Sequence, residues 1–105
     1  MVEGEWVASD LGSLSPEGRY VFEKLMPEWS VYFTGKNMGY ASDGNDLGSK
    51  GIVPDIDRKA KKIKRAVWDG EILTGEQPRE ILFDLIGHCF LMAAELDKEN
   101  GVSIE

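Results

Sequence analysis

The chain has 105 residues, 19 acidic against 12 basic, and a formal net charge of −7. A chain of this length predicts one domain with a modest core, for which association that buries further apolar surface is a natural supplement, and the acidic balance argues against a nucleic-acid partner. The single cysteine, Cys89, excludes an intramolecular disulfide framework and fits a reducing interior, and the opening MVEGEWVASD has no basic region ahead of an apolar segment, so neither a leader nor a membrane span is expected and the expected location is cytoplasmic.

Residues 1–14 carry Gly4, Gly12 and three acids around Trp6 and Leu11, which predicts an irregular arm docking through Trp6, with a single helical domain over 15–105. Ser15-Pro16-Glu17 supplies a cap, a first-turn proline and an acid near the positive dipole end, a good helix start. Val21, Phe22, Leu25, Met26, Trp29, Tyr32 and Phe33 then share one face at helical spacing. Pro27 lies opposite that face, which predicts a kink or restart that keeps the buried stripe.

Residues 35–54, GKNMGYASDGNDLGSKGIVP, contain five glycines and predict a long loop. It reads either as a surface excursion or as a backbone-rich loop that closes over a ligand, with Lys36 or Lys50 reaching an anion. Asp43-Gly44-Asn45-Asp46 lacks the alternating acids and terminal glutamate of a calcium loop.

Pro54 or Asp55 is the expected start of the next helix, IDRKAKKIKRAVW, which ends at Asp69-Gly70. Ile56, Ala60, Ile63 and Val67 form its predicted buried stripe. The rest of its surface carries Arg58, Lys59, Lys61, Lys62, Lys64 and Arg65, the densest charge in the chain. Either these are solvated cations partnered by acids on neighbouring helices, or they form an anion site in which Trp68, off the stripe, stacks on a base. The short linker 69–77 makes the last two helices antiparallel neighbours.

The last helix, Pro78–Leu96, is the centre of the plan. Twelve of the sixteen residues from Ile81 to Leu96 are apolar, an arc too wide for one neighbour, so this helix is expected to touch at least two others, another subunit included. Glu80, Asp84 and His88 line up at four-residue spacing in the remaining strip. Carboxylates and an imidazole in such a row can hold Mg²⁺ or position a water, and the alternative is an ordinary solvent-exposed face. Gly87, beside Asp84 and His88, suggests close approach by another backbone, and the cations of the preceding helix need an acidic counterpart that Asp84 and Glu80 could supply.

A helix, then GKNMGYASDGNDLG, then DIDRKAKKIKRAVWDGE, then EILFDLIGHCFLMAAEL resembles, over residues 19–97, small phage proteins of the nucleotide-modification-associated type, and through them the MazG-like all-α nucleoside triphosphate pyrophosphohydrolases. The resemblance implies an oligomeric, all-α antiparallel bundle with a long Gly-rich loop, cutting nucleoside triphosphates to monophosphate and pyrophosphate with Mg²⁺ held by acids on two helices. Carried onto this sequence, Asp84, Glu80 and His88 become the catalytic set, Glu80, Asp84 and Asp57 the metal ligands, and Lys36, Tyr40, Arg58, Lys59, Lys62 and Trp68 the nucleotide contacts.

The acidic motifs depart from that pattern. Ile81, not an acid, stands three residues before Asp84, with Glu80 one residue too early, and Glu23 and Glu28 fall on different faces of their helix. The expectation is therefore a nucleotide-binding phage protein, catalytically degenerate, acting in the host cytoplasm as a homo-oligomer. The alternatives are a protein that only sequesters nucleotides and an oligomeric adaptor that contacts a host protein through the basic helix.

Overall fold

The computed structural model describes residues 11–36 and 47–104, and all regular structure among them is helical. The fold class is all-α. The chain divides into two compact units, Met1–Tyr32 and Phe33–Glu105. The predicted arm around Trp6 and most of the glycine-rich loop, Tyr40 included, lie outside the described residues.

In the first unit a 3₁₀ turn, Leu11–Ser13, precedes α1, Pro16–Tyr20. The start is the expected one: Ser15 Oγ accepts the Gly18 N–H at 3.0 Å, and Pro16 occupies the first turn. A π-helical turn, Val21–Leu25, leads directly into α2, Met26–Lys36, whose last residues belong to the second unit. Pro27 thus does not end the helix. A proline has no N–H to give and crowds the carbonyl four residues back, and the widened turn just before it takes up the mismatch, with the Met26 N–H reaching back to Val21 O. The expected buried face is only partly covered: Leu25, Trp29 and Tyr32 are half-buried, while Val21, Phe22 and Met26 stay exposed.

The second unit is an antiparallel pair. α3, Ser49–Ile63, extends through a π-helical turn, Lys64–Trp68, and packs against α4, Pro78–Glu99. The first turn of α3 meets the last turn of α4 through Ser49 and Glu99, and the far end of α3 meets the approach to α4 through Lys62 and Glu76.

α3 starts five residues before the earlier of the two predicted starts, and Pro54 lies inside it. Its cap comes from the far end of the unit. The Glu99 carboxylate accepts the Ser49 N–H at 2.9 Å and the Ser49 hydroxyl at 3.1 Å, so a negative group sits on the positive end of the helix. Gly48 makes room for it: φ is +62°, and a Cβ there would stand 2.5 Å from Glu99 Oε2.

The stripe of α3 also differs from the prediction. Ile56 and Ile63 do face α4's side of the core, but Ala60 and Val67 are exposed, and the line runs Ile52, Ile56, Lys59, Ile63, Ala66, with Ile52 and Lys59 buried. Both lines alternate steps of four and three residues, as a seam on a partner helix does; the observed one takes the three-residue step from Ile56 to Lys59, where the prediction took four to Ala60. The π turn then carries Val67 away from it.

α4 begins where expected and runs three residues past Leu96. Gln77 and Glu80 form a reciprocal cap, with the Gln77 N–H donated to Glu80 Oε1 at 3.3 Å, and Gly101 follows the last turn with φ +94°. Its orientation is the surprise. The side turned to α3 includes Ile81, Gly87 and His88, buried, and Asp84, Leu91 and Glu95, half-buried. Leu82, Ile86, Cys89, Phe90, Ala93 and Leu96, the centre of the apolar arc, point outward. Most of the polar strip is therefore on the inside.

Candidate functional site

Lys59 occupies the middle of the α3 seam, where the pattern calls for an apolar side chain. It is only 9% exposed. An ammonium this deep needs a counter-charge, and Asp84 supplies it: Nζ donates to Asp84 Oδ2 at 3.2 Å, with the carboxylate side chain itself 16% exposed. The antiparallel packing fixes this pairing, since Lys59 near the middle of α3 meets α4 nearly two turns past its start.

A second ammonium converges on the same group. Lys36, the last residue of α2, places Nζ 4.0 Å from Asp84 Oδ1, so both oxygens of one carboxylate face a cation. His88, one turn further along α4, is buried next to this cluster. Burial lowers its pKa from the ordinary 6.5; Lys59 and Arg58 push it the same way, while Asp55 and Asp84 oppose them. At neutral pH His88 is the uncharged imidazole, able to donate at one nitrogen and accept at the other.

The other candidate residues are committed elsewhere. Glu80 is an exposed member of the α4 cap. Asp57 is exposed on α3 and pairs with Lys61 at 2.8 Å, an interaction whose hydrogen bond raises the Lys61 pKa. Asp57, Glu80 and Asp84, put forward as Mg²⁺ ligands, are thus three separate groups, and no three His, Cys, Asp or Glu side chains among the described residues are placed to share an ion. The spacing of Glu80, Asp84 and His88 does hold as a register, but the helix start claims the first, and only the last two turn inward.

The basic surface of α3 resolves into pairs. Arg58 holds Asp55 at 2.8 Å, Lys62 holds Glu76 at 2.7 Å, Lys64 holds Asp69 at 3.3 Å and Arg65 holds Glu71 at 3.0 Å. With Lys61 and Lys59 on Asp57 and Asp84, every cation from Arg58 to Arg65 has a carboxylate. The hydrogen bond from Lys62 is also the main reason that the Glu76 pKa lies below 4.5. Exposed pairs of this kind contribute little individually, but they offset the field that an incoming phosphate would feel along the outer face of α3. Trp68 is 82% exposed, about two and a half turns beyond Lys59, and not part of the cluster.

No family model matches this chain, and neither does any curated protein or solved structure.

Sequence reasoning anticipated that the cations need acids and named Asp84, but it missed Glu76 and Glu99. Both were visible only as helix-end charges. Their partners, Lys62 and Ser49, lie 14 and 50 residues away in sequence and are brought to them by the antiparallel turn.

Proposed function

We propose that this chain binds a nucleotide-like anion without turning it over, a degenerate relative of MazG-like pyrophosphohydrolases. What carries the proposal is the convergence of Lys36 and Lys59 on Asp84. Two ammoniums on one carboxylate gather donors for an anion in an acidic chain, and Lys36, exposed, stands at the edge of the glycine-rich loop. A phosphate group approaching Lys36 meets an ammonium that Asp84 helps to orient. The absence of turnover is inferred from the engagement of Glu80 in the α4 cap and Asp57 with Lys61, which keeps the two other acids put forward as Mg²⁺ ligands away from Asp84.

The test is a thermal-shift panel of nucleoside mono-, di- and triphosphates with and without Mg²⁺, together with a pyrophosphate-release assay. A ligand at a hundred times its Kd should stabilise the protein by about 2.7 kcal/mol. Lys36→Ala, an exposed substitution, should leave the fold intact and remove that response. No shift with any phosphate compound overturns the proposal. Mg²⁺-dependent pyrophosphate release, lost in Asp84→Asn, would make the chain an enzyme after all.

A second function, as an adaptor for a host protein, draws on a different observation. Val67, Trp68 and Ile72 at the end of α3 are exposed by 65%, 82% and 96%, a run of apolar side chains that suits a protein contact.

A further inference from the structure

α4 carries two seams. The inner one, against α3, reads Ile81, Asp84, His88, Leu91, Glu95, and three of its five side chains are polar or ionisable. The outer one reads Leu82, Ile86, Cys89, Ala93, Leu96, at steps of four, three, four and three residues, and every member is apolar and exposed. That spacing is the signature of a helix that packs lengthwise against another helix. The contact with α3 uses the inner seam, and the outer side chains stay exposed.

We propose that the outer seam of α4 is a homotypic interface, on which α4 of a second copy lies antiparallel. Three features select that occupant. The seam runs from Leu82 to Leu96 along α4, about 21 Å, and offers only apolar side chains along it, so the surface that fits it is another straight seam of the same kind. Cys89 and Ala93, near the middle, are small and let a second backbone approach closely, with Leu82 and Leu96 closing the two ends. The charges at the ends then set the direction. Arg79, packed over the Phe83 ring at 5.0 Å, lies at the start of the outer face, and Asp97 lies at its end. A parallel partner would set arginine beside arginine and aspartate beside aspartate, and would align the two helix dipoles. An antiparallel partner sets Arg79 towards Asp97 at both ends and opposes the dipoles. The inference does not depend on nucleotide binding.

Cys89 is a built-in reporter, because it is the only cysteine and lies at the midpoint of the seam. Sedimentation of the full chain at micromolar concentration should give a species of twice 11.7 kDa, and a short bismaleimide should join two chains through Cys89. Ile86→Lys should raise the dissociation constant about thirtyfold or more and abolish the cross-link, whereas Trp68→Ser, at the other exposed apolar site, should change neither. Arg79→Glu should weaken the dimer and Arg79→Glu with Asp97→Lys should restore it. A wild-type monomer overturns the proposal, as does a dimer indifferent to Ile86→Lys. A dimer that the double charge reversal fails to rescue overturns the antiparallel arrangement.

Discussion

Removing Asp84 should cost this protein about twice as much as removing Lys59, although the two form one ion pair. At 3.2 Å and an effective dielectric constant of about 20, their attraction is about 5 kcal/mol before the desolvation of both groups is subtracted. The net worth of such a pair against an apolar replacement is near zero, but stranding one charge costs about 3 to 5 kcal/mol when burial is complete. The side chains here are 11% and 16% exposed, so Asp84→Leu, which strands the Lys59 ammonium in the α3 seam, should cost about 3 kcal/mol, the lower end of that range. Lys59→Met leaves Asp84 facing Lys36, 4.0 Å away and half exposed, and should cost about half as much, 1 to 2 kcal/mol. The double variant Lys59→Met with Asp84→Leu extends the apolar seam and should return to within about 1 kcal/mol of the wild type. Urea denaturation followed by circular dichroism, at one protein concentration and pH 7.5, measures all four proteins. Equal losses in the two single variants, summing in the double, would refute the buried pair and the inward orientation of Asp84 together.

The buried imidazole predicts an acid-side loss of stability. Because the folded pKa of His88 lies below the ordinary 6.5, the unfolded chain takes up the proton first, so stability is fully present above 6.5 and declines as pH falls through that value towards the folded one. His88→Gln should remove this part of the melting-temperature profile, and the step that remains, from Glu76, should appear only as pH falls below 4.5; an unchanged profile in the variant would put His88 on the surface. The two faces of α4 give the other contrast. Ile81, 1% exposed, should cost about 2 to 5 kcal/mol as Ile81→Ala, whereas Phe90, 55% exposed, should change the stability of the dissociated chain by no more than about 0.5 kcal/mol as Phe90→Ala. Similar losses for both, measured at nanomolar concentration by fluorescence, would show that α4 is turned the other way.

The sequence by itself determined that this is an all-helical chain, and it placed the ends of α4 to within a turn and the start of α1, because caps, prolines and terminal glycines act within a turn of the residues they stop or start. It also established that the cations of α3 need acids and that the apolar arc of α4 exceeds what one neighbour covers. What it could not decide is which side of α4 turns inward. Periodicity reports that an arc exists, and a rule that apolar residues are buried places Leu82, Ile86 and Phe90 inside; the structure instead buries Asp84 and His88, because Lys59 on the facing helix needs a carboxylate and a stranded ammonium would cost more than exposed leucines. The early start of α3 has the same origin. Ser49 follows Gly48, and the carboxylate that caps it, Glu99, arrives from the other end of the unit only once the two helices lie antiparallel. Local rules fix where a helix can begin, and partners 25 and 50 residues away fixed which way these two face and where one of them started.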